Sequence, residues 1–461
     1  MRRLLGALAL AVVALLPAHA EASPRQFTIF QAPRELLSAD AGLRARTLDE
    51  IERLGVRDVR VILYWQSVAP QPDAARPPAF DERDPAAYRW GAYAAAIDDA
   101  HARGLRVLLT VSGPVPRWAT AHHRDHRTRP SPARFRRFVT AVGRRFGGEV
   151  STWSVWNEPN HPRFLLPQYA KHRGAVSGRI YRALFLAAWR GLRDSGNGRD
   201  RVLMGETAPR GTGRVVAPLT FLRGALCLHR DWRKARGCSN LPADGYAHHA
   251  YTTRDGPWFR PPSPDDVTIG VLHRLNRALY RAARSGALRR GIGIYLTEFG
   301  IQSKPDPFLG VSFTAQAEYR SIAERIAYRN PRVRAFSQYL MRDDPAGPAG
   351  PARYRGFESG LRREDGTPKR SYAGFRLPLV ALRGHRRVTL WGLVRPSRGR
   401  TAVTIERRGR HGRRWHRLKR ETTDARGYWT TTTRRVPGRR YRVVWQGEAG
   451  PLTRAYPPSL D

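Results

Sequence analysis

Short apolar runs alternate with longer segments of helical period along the first 377 residues of the chain. Each run has the length of a buried strand, and each segment that follows spaces its apolar positions along one helix face. Strands are predicted at 26–30, 59–64, 105–111, 150–156, 202–205, 245–251, 293–297 and 333–341. Helices are predicted at 43–54, 88–103, 132–146, 168–194, 217–228, 266–285, 314–328 and 371–375. The pattern is therefore one of repeated strand–helix units.

Eight such units in succession predict right-handed crossovers and a parallel sheet. A (β/α)8 TIM barrel over 23–377 accommodates all eight units with long loops. A doubly wound open sheet is the competing architecture. No GxGxxG motif follows the first strand, which argues against the dinucleotide-binding form of that sheet. We therefore predict the α/β fold class, with a TIM barrel as the main domain.

The pattern changes after residue 377, where helical periodicity stops. Short runs rich in Val, Thr, Tyr and Trp follow, separated by turns that contain Gly and Arg. These runs are 387–394, 401–407, 415–418, 427–433 and 441–445. Strand rhythm of this kind is typical of a small antiparallel sandwich. We predict an all-β, sandwich-like domain over 378–461.

The chain of 461 residues carries 82 Lys and Arg against 38 Asp and Glu, a formal charge of +44. Clustered basic residues favour a nucleic-acid partner, but no nucleic-acid-binding motif is present, and only five of the 82 are lysines. Nucleic acid is therefore not the expected partner. Residues 377–461 hold 21 basic and five acidic residues. Two interpretations stay open for this excess: contact with an anionic cell-wall or matrix polymer, or codon bias toward arginine.

The N-terminal residues 1–22 have the features of a secretory signal peptide. Arg2 and Arg3 precede an apolar run over 4–16, and small-residue cleavage sites follow it. The run is shorter than the about 20 residues of a membrane-spanning helix, although an uncleaved anchor is the alternative. No later segment is apolar enough to span a bilayer. We expect a secreted chain without a transmembrane span.

Cys227 and Cys238 are the only cysteines and lie close together in sequence. In an exported protein, a near pair of this kind favours a disulfide over a metal site. His122, His123 and His126 lie in a charged loop without the carboxylate or cysteine spacing of a metal site. The sequence therefore predicts a structural disulfide, no metal and no cofactor.

Two predicted strands end in a glutamate. The fourth is followed by Trp-Asn-Glu-Pro, with Glu158, and the seventh by Thr-Glu-Phe-Gly, with Glu298. Catalytic groups of TIM barrels stand at the carboxyl ends of the strands. A single strand-end glutamate is often a loop anchor or an ion-pair partner. Two that project into one cleft satisfy the requirement of glycoside hydrolysis for an acid and for a nucleophile or base.

Both motifs resemble those of the large clan of retaining (β/α)8 glycoside hydrolases that contains the cellulase-like family 5 and the xylosidase-like family 39. The resemblance covers about residues 26–376. It implies that Glu158 is the general acid/base, that Glu298 is the nucleophile, and that a β-linked oligo- or polysaccharide is cleaved with retention. The charge of Glu298 is expected to raise the pKa of Glu158. The alternative is a non-catalytic cell-surface glycan-binding protein on the same scaffold.

The resemblance also implies roles for four other polar residues. Arg60 matches the clan's arginine beside the nucleophile, and Tyr251 is placed to donate to Glu298. Asn157 corresponds to the residue that binds the sugar 2-hydroxyl, with a turn-forming Asn as the alternative. His249 and Tyr251 match the family 5 His-x-Tyr pair, with a core histidine as the alternative for His249.

Three aromatic residues are candidates for sugar stacking, because pyranose faces pack on indole and phenol rings. They are Trp118, which is the preferred candidate, Trp65 and Tyr339. The strand-eight tryptophan of family 5 is missing, and Ser337-Gln338-Tyr339 stands in its place. This departure favours the branch that resembles family 39.

Overall fold

A computed structural model describes residues 26–172, 174–348 and 353–457. The predicted signal peptide at 1–22 lies outside these residues. Eight strands form the first domain, and each lies within a few residues of its predicted position. They are β1 Phe27–Gln31, β2 Asp58–Tyr64, β3 Arg106–Ser112, β4 Val150–Val155, β5 Arg201–Thr207, β6 Gly245–His249, β7 Gly293–Glu298 and β8 Val333–Tyr339.

These strands form a closed parallel barrel in sequence order. β1 closes the ring by pairing with both β2 and β8, with Phe27 opposite Ala335 and Ile29 opposite Asp58. One buried cluster is made of residues from six of the eight strands, namely Ile29, Leu108, Leu203, Ala247, Tyr295 and Ala335. The interior is therefore a packed core, as in other TIM barrels, and the predicted α/β barrel is confirmed.

Among the described residues, eight longer helices follow the strands or close the domain. They are α1 Ala41–Arg53, α2 Gly91–Ala102, α3 Pro132–Phe146, α4 Ser177–Asp194, α5 Pro218–Ala225, α6 Leu272–Arg284, α7 Phe313–Arg329 and α8 Arg370–Arg376. Shorter helical turns lie at Pro33–Leu36 and Trp65–Val68.

The predicted helix over 168–194 begins nine residues late, at Ser177. Its first part is extended instead, because Tyr169–Ala170 pairs with Gly174–Ala175 in a small hairpin. The side-chain amide of Gln168 donates to the backbone carbonyls of Pro159 and Leu165. The backbone carbonyl of Gln168 accepts from Val176 N. These hydrogen bonds hold residues 168–175 in the loop next to the end of β4 and prevent them from joining the helix.

The second domain is built from seven longer strands in one mixed sheet. They are β9 Leu379–Arg383, β10 Arg387–Leu393, β11 Ala402–Arg408, β12 His416–Thr422, β13 Tyr428–Arg434, β14 Arg440–Trp445 and β15 Thr453–Tyr456. The order is β12-β11-β14-β15-β9-β10-β13. Lys419 Nζ donates to Thr431 Oγ1 at 2.7 Å, which brings the two end strands together. The all-β domain is confirmed; β9 and β15, which pair in parallel, were not predicted.

A buried ion cluster joins the two domains. Glu324 of α7 accepts from Arg320 at 2.6 Å and also pairs with Arg395, which follows β10. Arg395 donates further to Phe375 O at 2.8 Å and to Thr28 Oγ1 at 3.0 Å. Aromatic contacts surround the cluster, including the stacked rings of Tyr328 and Tyr428 and their neighbour Trp391. The β domain is therefore fixed to the barrel by a desolvated interface.

Cys227 and Cys238 form the predicted disulfide, with their Cα atoms 6.3 Å apart. In the described part of the chain, no helix has both the length and the apolar character needed to cross a membrane.

We expect Glu324→Gln to destabilise the protein by about 3–5 kcal/mol, because the substitution leaves two buried guanidinium groups without their carboxylate. Urea unfolding would measure the change, with the exposed Glu364→Gln as the control. If the two variants lost equal stability, the ion cluster would not be holding the domains together.

Candidate active site

The two predicted catalytic glutamates stand at the same end of the barrel. Glu158 follows β4 and Glu298 is the last residue of β7, so both lie at the carboxyl ends of strands. A carboxylate oxygen of Glu158, one of Glu298 and a ring nitrogen of His249 all lie within 4.8 Å of one another. The structure therefore brings together the two glutamates that the sequence predicts at one end of the barrel.

Glu298 is held by two donors. Arg60 Nη1 donates to Oε2 at 2.9 Å, and the Tyr251 hydroxyl donates to Oε1 at 2.9 Å. His249 Nδ1 lies 3.7 Å from Oε2. Both carboxylate oxygens of Glu298 therefore accept a hydrogen bond, one from a cation and one from a hydroxyl group.

Arg60 lies on β2, and its guanidinium is inaccessible to solvent. Burial acts to lower the pKa of Arg60, but the charges of Glu206 and Glu298 outweigh it and raise the pKa above its ordinary value. The side chain donates to five acceptors. They are Gln31 Oε1 at 2.8 Å, Thr110 Oγ1 at 3.0 Å, Asn157 Oδ1 at 2.9 Å, Glu206 Oε2 at 3.1 Å and Glu298 Oε2 at 2.9 Å. One cation thus connects strands from around the barrel.

His249 bridges the site between two carboxylates. Its Nδ1 lies 3.0 Å from Glu158 Oε1, and its Nε2 lies 2.8 Å from Glu206 Oε2. Burial acts to lower the pKa of His249, but the charge of Glu298 and the bonds to the other two carboxylates raise it to about 10. The ring is therefore an imidazolium at neutral pH and donates through both nitrogens. His248 points away, toward Thr207 and Val267 O.

Glu206, on β5, is completely buried and accepts from both Arg60 and His249. Burial acts to raise its pKa, but Arg60 and His249 lower it to about 2. Thr297 Oγ1 adds a hydrogen bond at 2.5 Å. The sequence marks Glu206 as a carboxylate at the end of a predicted strand, which either binds a sugar hydroxyl or pairs with arginine, and pairing is the favoured interpretation. The structure shows that it is the anion that holds Arg60 and His249 in place.

The structure does not support the expected rise in the pKa of Glu158. Burial acts to raise this pKa, but the hydrogen bond and the charge of His249 outweigh it, so the pKa lies below its ordinary value. The imidazolium at 3.0 Å therefore has a stronger effect than the Glu298 carboxylate. In the free protein the proton of this pair resides on His249.

Backbone strain coincides with the site. Trp156, Glu158 and Glu206 have φ angles of 69°, 40° and 49°, in the left-handed region that side chains other than glycine rarely adopt. Glu158 N donates to Glu206 O at 3.0 Å, which ties the two strained segments together. The backbone conformation, as well as the hydrogen bonds of the side chains, therefore fixes the direction of the Glu158 and Glu206 carboxylates.

Asn157 is oriented by its neighbours. Its Oδ1 accepts from Arg60, and its backbone N–H donates to Ser112 Oγ at 2.9 Å. With the oxygen engaged, the amide nitrogen is the end of the side chain left to donate to a ligand. This arrangement fits the role that the clan resemblance implies for Asn157 at the sugar 2-hydroxyl.

Trp65 and Trp118 are not available for sugar stacking, which corrects the prediction. Both side chains are completely buried in an aromatic cluster outside the strands. Trp65 stacks on Phe138 at 4.8 Å and meets Trp118 edge-on at 5.7 Å. Trp65 begins a helical turn directly after β2, and that turn carries the ring back into the helix layer.

Tyr339 does lie at the candidate site, next to Tyr251, the residue that donates to Glu298. It is partly exposed, meets Tyr251 edge-on at 6.4 Å and contacts Phe357 at 5.1 Å. Burial and the charge of Glu298 raise the pKa of Tyr339 well above its ordinary value. Phe357, in the loop after β8, completes this aromatic wall 6.0 Å from Tyr251. Sequence reasoning missed Phe357 because no motif or periodicity marks the loop.

The group of Glu158, His249 and Glu298 offers three ligand atoms at metal-binding separations. Its charges oppose a cation, however. Arg60 lies 2.9 Å from Glu298, and His249 directs both ring nitrogens at carboxylates. A metal ion here would have to displace a proton from His249 and face a buried guanidinium.

No protein family model and no curated protein matches this sequence. Solved structures do match. A glucosidase from Croceicoccus marinus is 12% identical with a TM-score of 0.52, over 92% of this chain and 95% of that one. A family 39 glycoside hydrolase from the gut symbiont Bacteroides cellulosilyticus WH2 is 16% identical with a TM-score of 0.52, over 92% and 81%. A mutant β-glucosidase derived from a hyperthermophilic tetrameric structure is 13% identical with a TM-score of 0.51, over 77% and 95%.

The chain has the fold of these glycoside hydrolases. At such low identity the match concerns architecture, and the chemistry has to be argued from the site itself.

The folded pKa of His249, about 10, lies above its ordinary value of 6.5. Stability from the imidazolium is thus fully present below pH 6.5 and is lost as pH rises through about 10. We expect the melting temperature of the wild type to fall over this interval relative to that of His249→Asn. Paired thermal melts between pH 6 and pH 10 measure the difference. Parallel curves for the two proteins would contradict an imidazolium at this position.

Proposed function

We propose that the chain is a retaining glycoside hydrolase that cleaves β-linked oligo- or polysaccharide. The observation that carries the proposal is the proximity of Glu158 and Glu298, which bring carboxylate oxygens within 4.8 Å of each other. Retaining enzymes hold their carboxyl groups about 5–5.5 Å apart, whereas inverting enzymes leave about 6.5–9.5 Å for a water molecule. The fold shared with glycosidases supports the same conclusion.

In the first step Glu298 attacks the anomeric carbon. Arg60 and Tyr251 hold the Glu298 carboxylate in one orientation, so the attacking oxygen is positioned before the substrate binds. The glycosidic oxygen leaves as an alcohol once it accepts a proton from Glu158. A covalent glycosyl ester on Glu298 remains.

The proton for this step is stored on His249, 3.0 Å from Glu158. A glycosidic oxygen beside Glu158 draws the proton from Nδ1 through the carboxyl group to the leaving oxygen. His249 is then neutral and still donates to Glu206 through Nε2. In the second step Glu158 takes a proton from water, which attacks the ester, and the proton returns to His249. Every proton and charge is restored at the end of the cycle.

Secretion is part of the proposal. The N-terminal signal-like sequence and the Cys227–Cys238 disulfide both fit an oxidising compartment. Aryl β-glucosides, β-xylosides and β-glucuronides are suitable first probes. If none of these aryl glycosides were hydrolysed while the protein still bound glycans, the non-catalytic alternative would be favoured.

We expect Glu298→Gln to lower turnover of a responsive aryl β-glycoside by about 10³-fold or more, because the amide of the variant cannot act as the nucleophile that forms the ester. Glu158→Gln should cost about 10²–10⁴-fold with a poor leaving group and much less with dinitrophenolate, which departs without a proton. Steady-state kinetics with both leaving groups measures the contrast, and Glu364→Gln is the matched control.

A 2-fluoro glycoside should trap the ester, and peptide mass spectrometry should place the label on Glu298. NMR of the initial product should show the β anomer. Wild-type turnover in Glu298→Gln, a label on another carboxylate or an inverted product would each contradict the proposal.

A further inference from the structure

A groove rich in arginine runs along the seam between the two domains, at the end of the barrel opposite the catalytic glutamates. We call it the arginine groove. It has a volume of about 860 Å³ and is lined by residues 52–57, 103–105, 372, 376, 396–401 and 445–446. The barrel segments that line it precede β2 and β3, whereas Glu158 and Glu298 lie at the carboxyl ends of strands. The groove is thus separate from the proposed active site.

We propose that the arginine groove binds an acidic polysaccharide, so that the protein holds an anionic polymer at a site distinct from its catalytic centre. The inference goes beyond the proposed hydrolysis and does not require it.

The lining of the arginine groove is strongly basic. Six arginines and one glutamate line the groove, namely Arg53, Arg57, Arg103, Arg376, Arg398, Arg400 and Glu52. Arg103 pairs with Asp49, and Arg376 pairs with Glu448. The other four arginines are exposed, and none has a carboxylate partner within 26–172, 174–348 or 353–457. In the described part of the chain, four unpaired arginines and one glutamate, Glu52, therefore line one concave surface, which leaves this surface with a net positive charge.

Backbone donors add to this charge. In the loop between β10 and β11, the N–H groups of residues 397–400 donate to no protein atom in the described part of the chain. The loop begins at Pro396, whose Cα would lie 2.7 Å from a Cβ on Gly55, which has a φ of 74°. Glycine therefore permits the close approach that places this loop against the barrel. Unpaired amides beside arginines are suited to carboxylate or sulfate oxygens.

The shape favours a polymer over a small anion. A second cavity, of about 310 Å³, shares Gly55, Arg57 and Ser397 with the arginine groove and extends it along the seam. Arg106 also lines this extension, where it is paired with Asp58. The arginine groove and this second cavity together offer more room than one small anion would fill, which favours a ligand made of several linked units.

The lining also favours an acidic polysaccharide over single-stranded nucleic acid. Nucleic acid sites of that kind present open aromatic faces on which bases stack. The aromatic residues of the arginine groove are not open in this way. Trp445 is 9% exposed and donates to Thr401 Oγ1 at 3.0 Å, and Tyr372 is covered by the Arg362 guanidinium at 4.7 Å. What the groove offers is charge and hydrogen-bond donors.

The test compares two variants of the full chain with equal charge loss. The groove variant carries Arg53→Gln, Arg57→Gln, Arg398→Gln and Arg400→Gln. The control carries Arg413→Gln, Arg414→Gln, Arg417→Gln and Arg420→Gln, which are exposed positions on or near β12. Fluorescence anisotropy would measure binding of labelled polygalacturonate and dextran sulfate oligomers, with neutral dextran and oligothymidylate as comparison ligands. The polygalacturonate and sulfate arms separate carboxylate from sulfate ester as the recognised group.

We expect the groove variant to bind an acidic oligosaccharide about 30-fold more weakly than the wild type, and the control to change by less than about 3-fold. Wild-type binding should also weaken with added salt. Equal losses in the two variants would overturn the proposal, because diffuse charge would then explain binding. No loss in either, or tighter wild-type binding of oligothymidylate or neutral dextran, would overturn it as well.

Melting temperatures check that both variants fold. A double variant, Arg398→Gln with Arg400→Gln, provides a milder change that is confined to an exposed loop.

Aryl glycoside turnover should be the same in both variants and the wild type. Binding is measured without catalysis, so a failure of the hydrolysis proposal leaves this result unaffected.

Discussion

A single buried guanidinium organises the candidate site. Arg60 is removed from solvent, a costly state for a cation unless its donors are all matched. The barrel matches them with side chains from several strands, so the position of each acceptor depends on the same charge. Glu206 and Glu298 compensate that charge from two sides. A change of charge at any member alters the electrostatics of the others.

The barrel, and the position of Glu158 and Glu298 at one end of it, could be predicted from the sequence for a physical reason. Buried parallel strands are continuous apolar runs, and the residues that end them lie at one edge of the barrel. The positions of Glu158 and Glu298 could therefore be predicted by counting strands. The roles predicted for Asn157, His249, Arg60 and Tyr251 came from the resemblance to the glycoside hydrolase clan.

The direction of individual side chains and the path of the loops could not be predicted from the sequence. Trp65 and Trp118 follow strands, as catalytic-face residues do, yet a helical turn and a loop direct their rings into the helix layer. Phe357 reaches the site from a loop with no regular period. Glu206 was visible as a strand-end carboxylate, but its pairing with both Arg60 and His249, and hence the charge of that ring, depends on distances that only the fold provides.

The rigid seam between the domains has a geometric consequence. Because Arg395 and Glu324 lock the β domain to α7, the arginine groove and the catalytic cleft keep a fixed separation and direction. The strands between them are up to seven residues long, about 23 Å. A polymer held at the seam would therefore tether the molecule from behind, with its cleft facing outward. Such a molecule would act on neighbouring chains of a matrix rather than on the segment that anchors it.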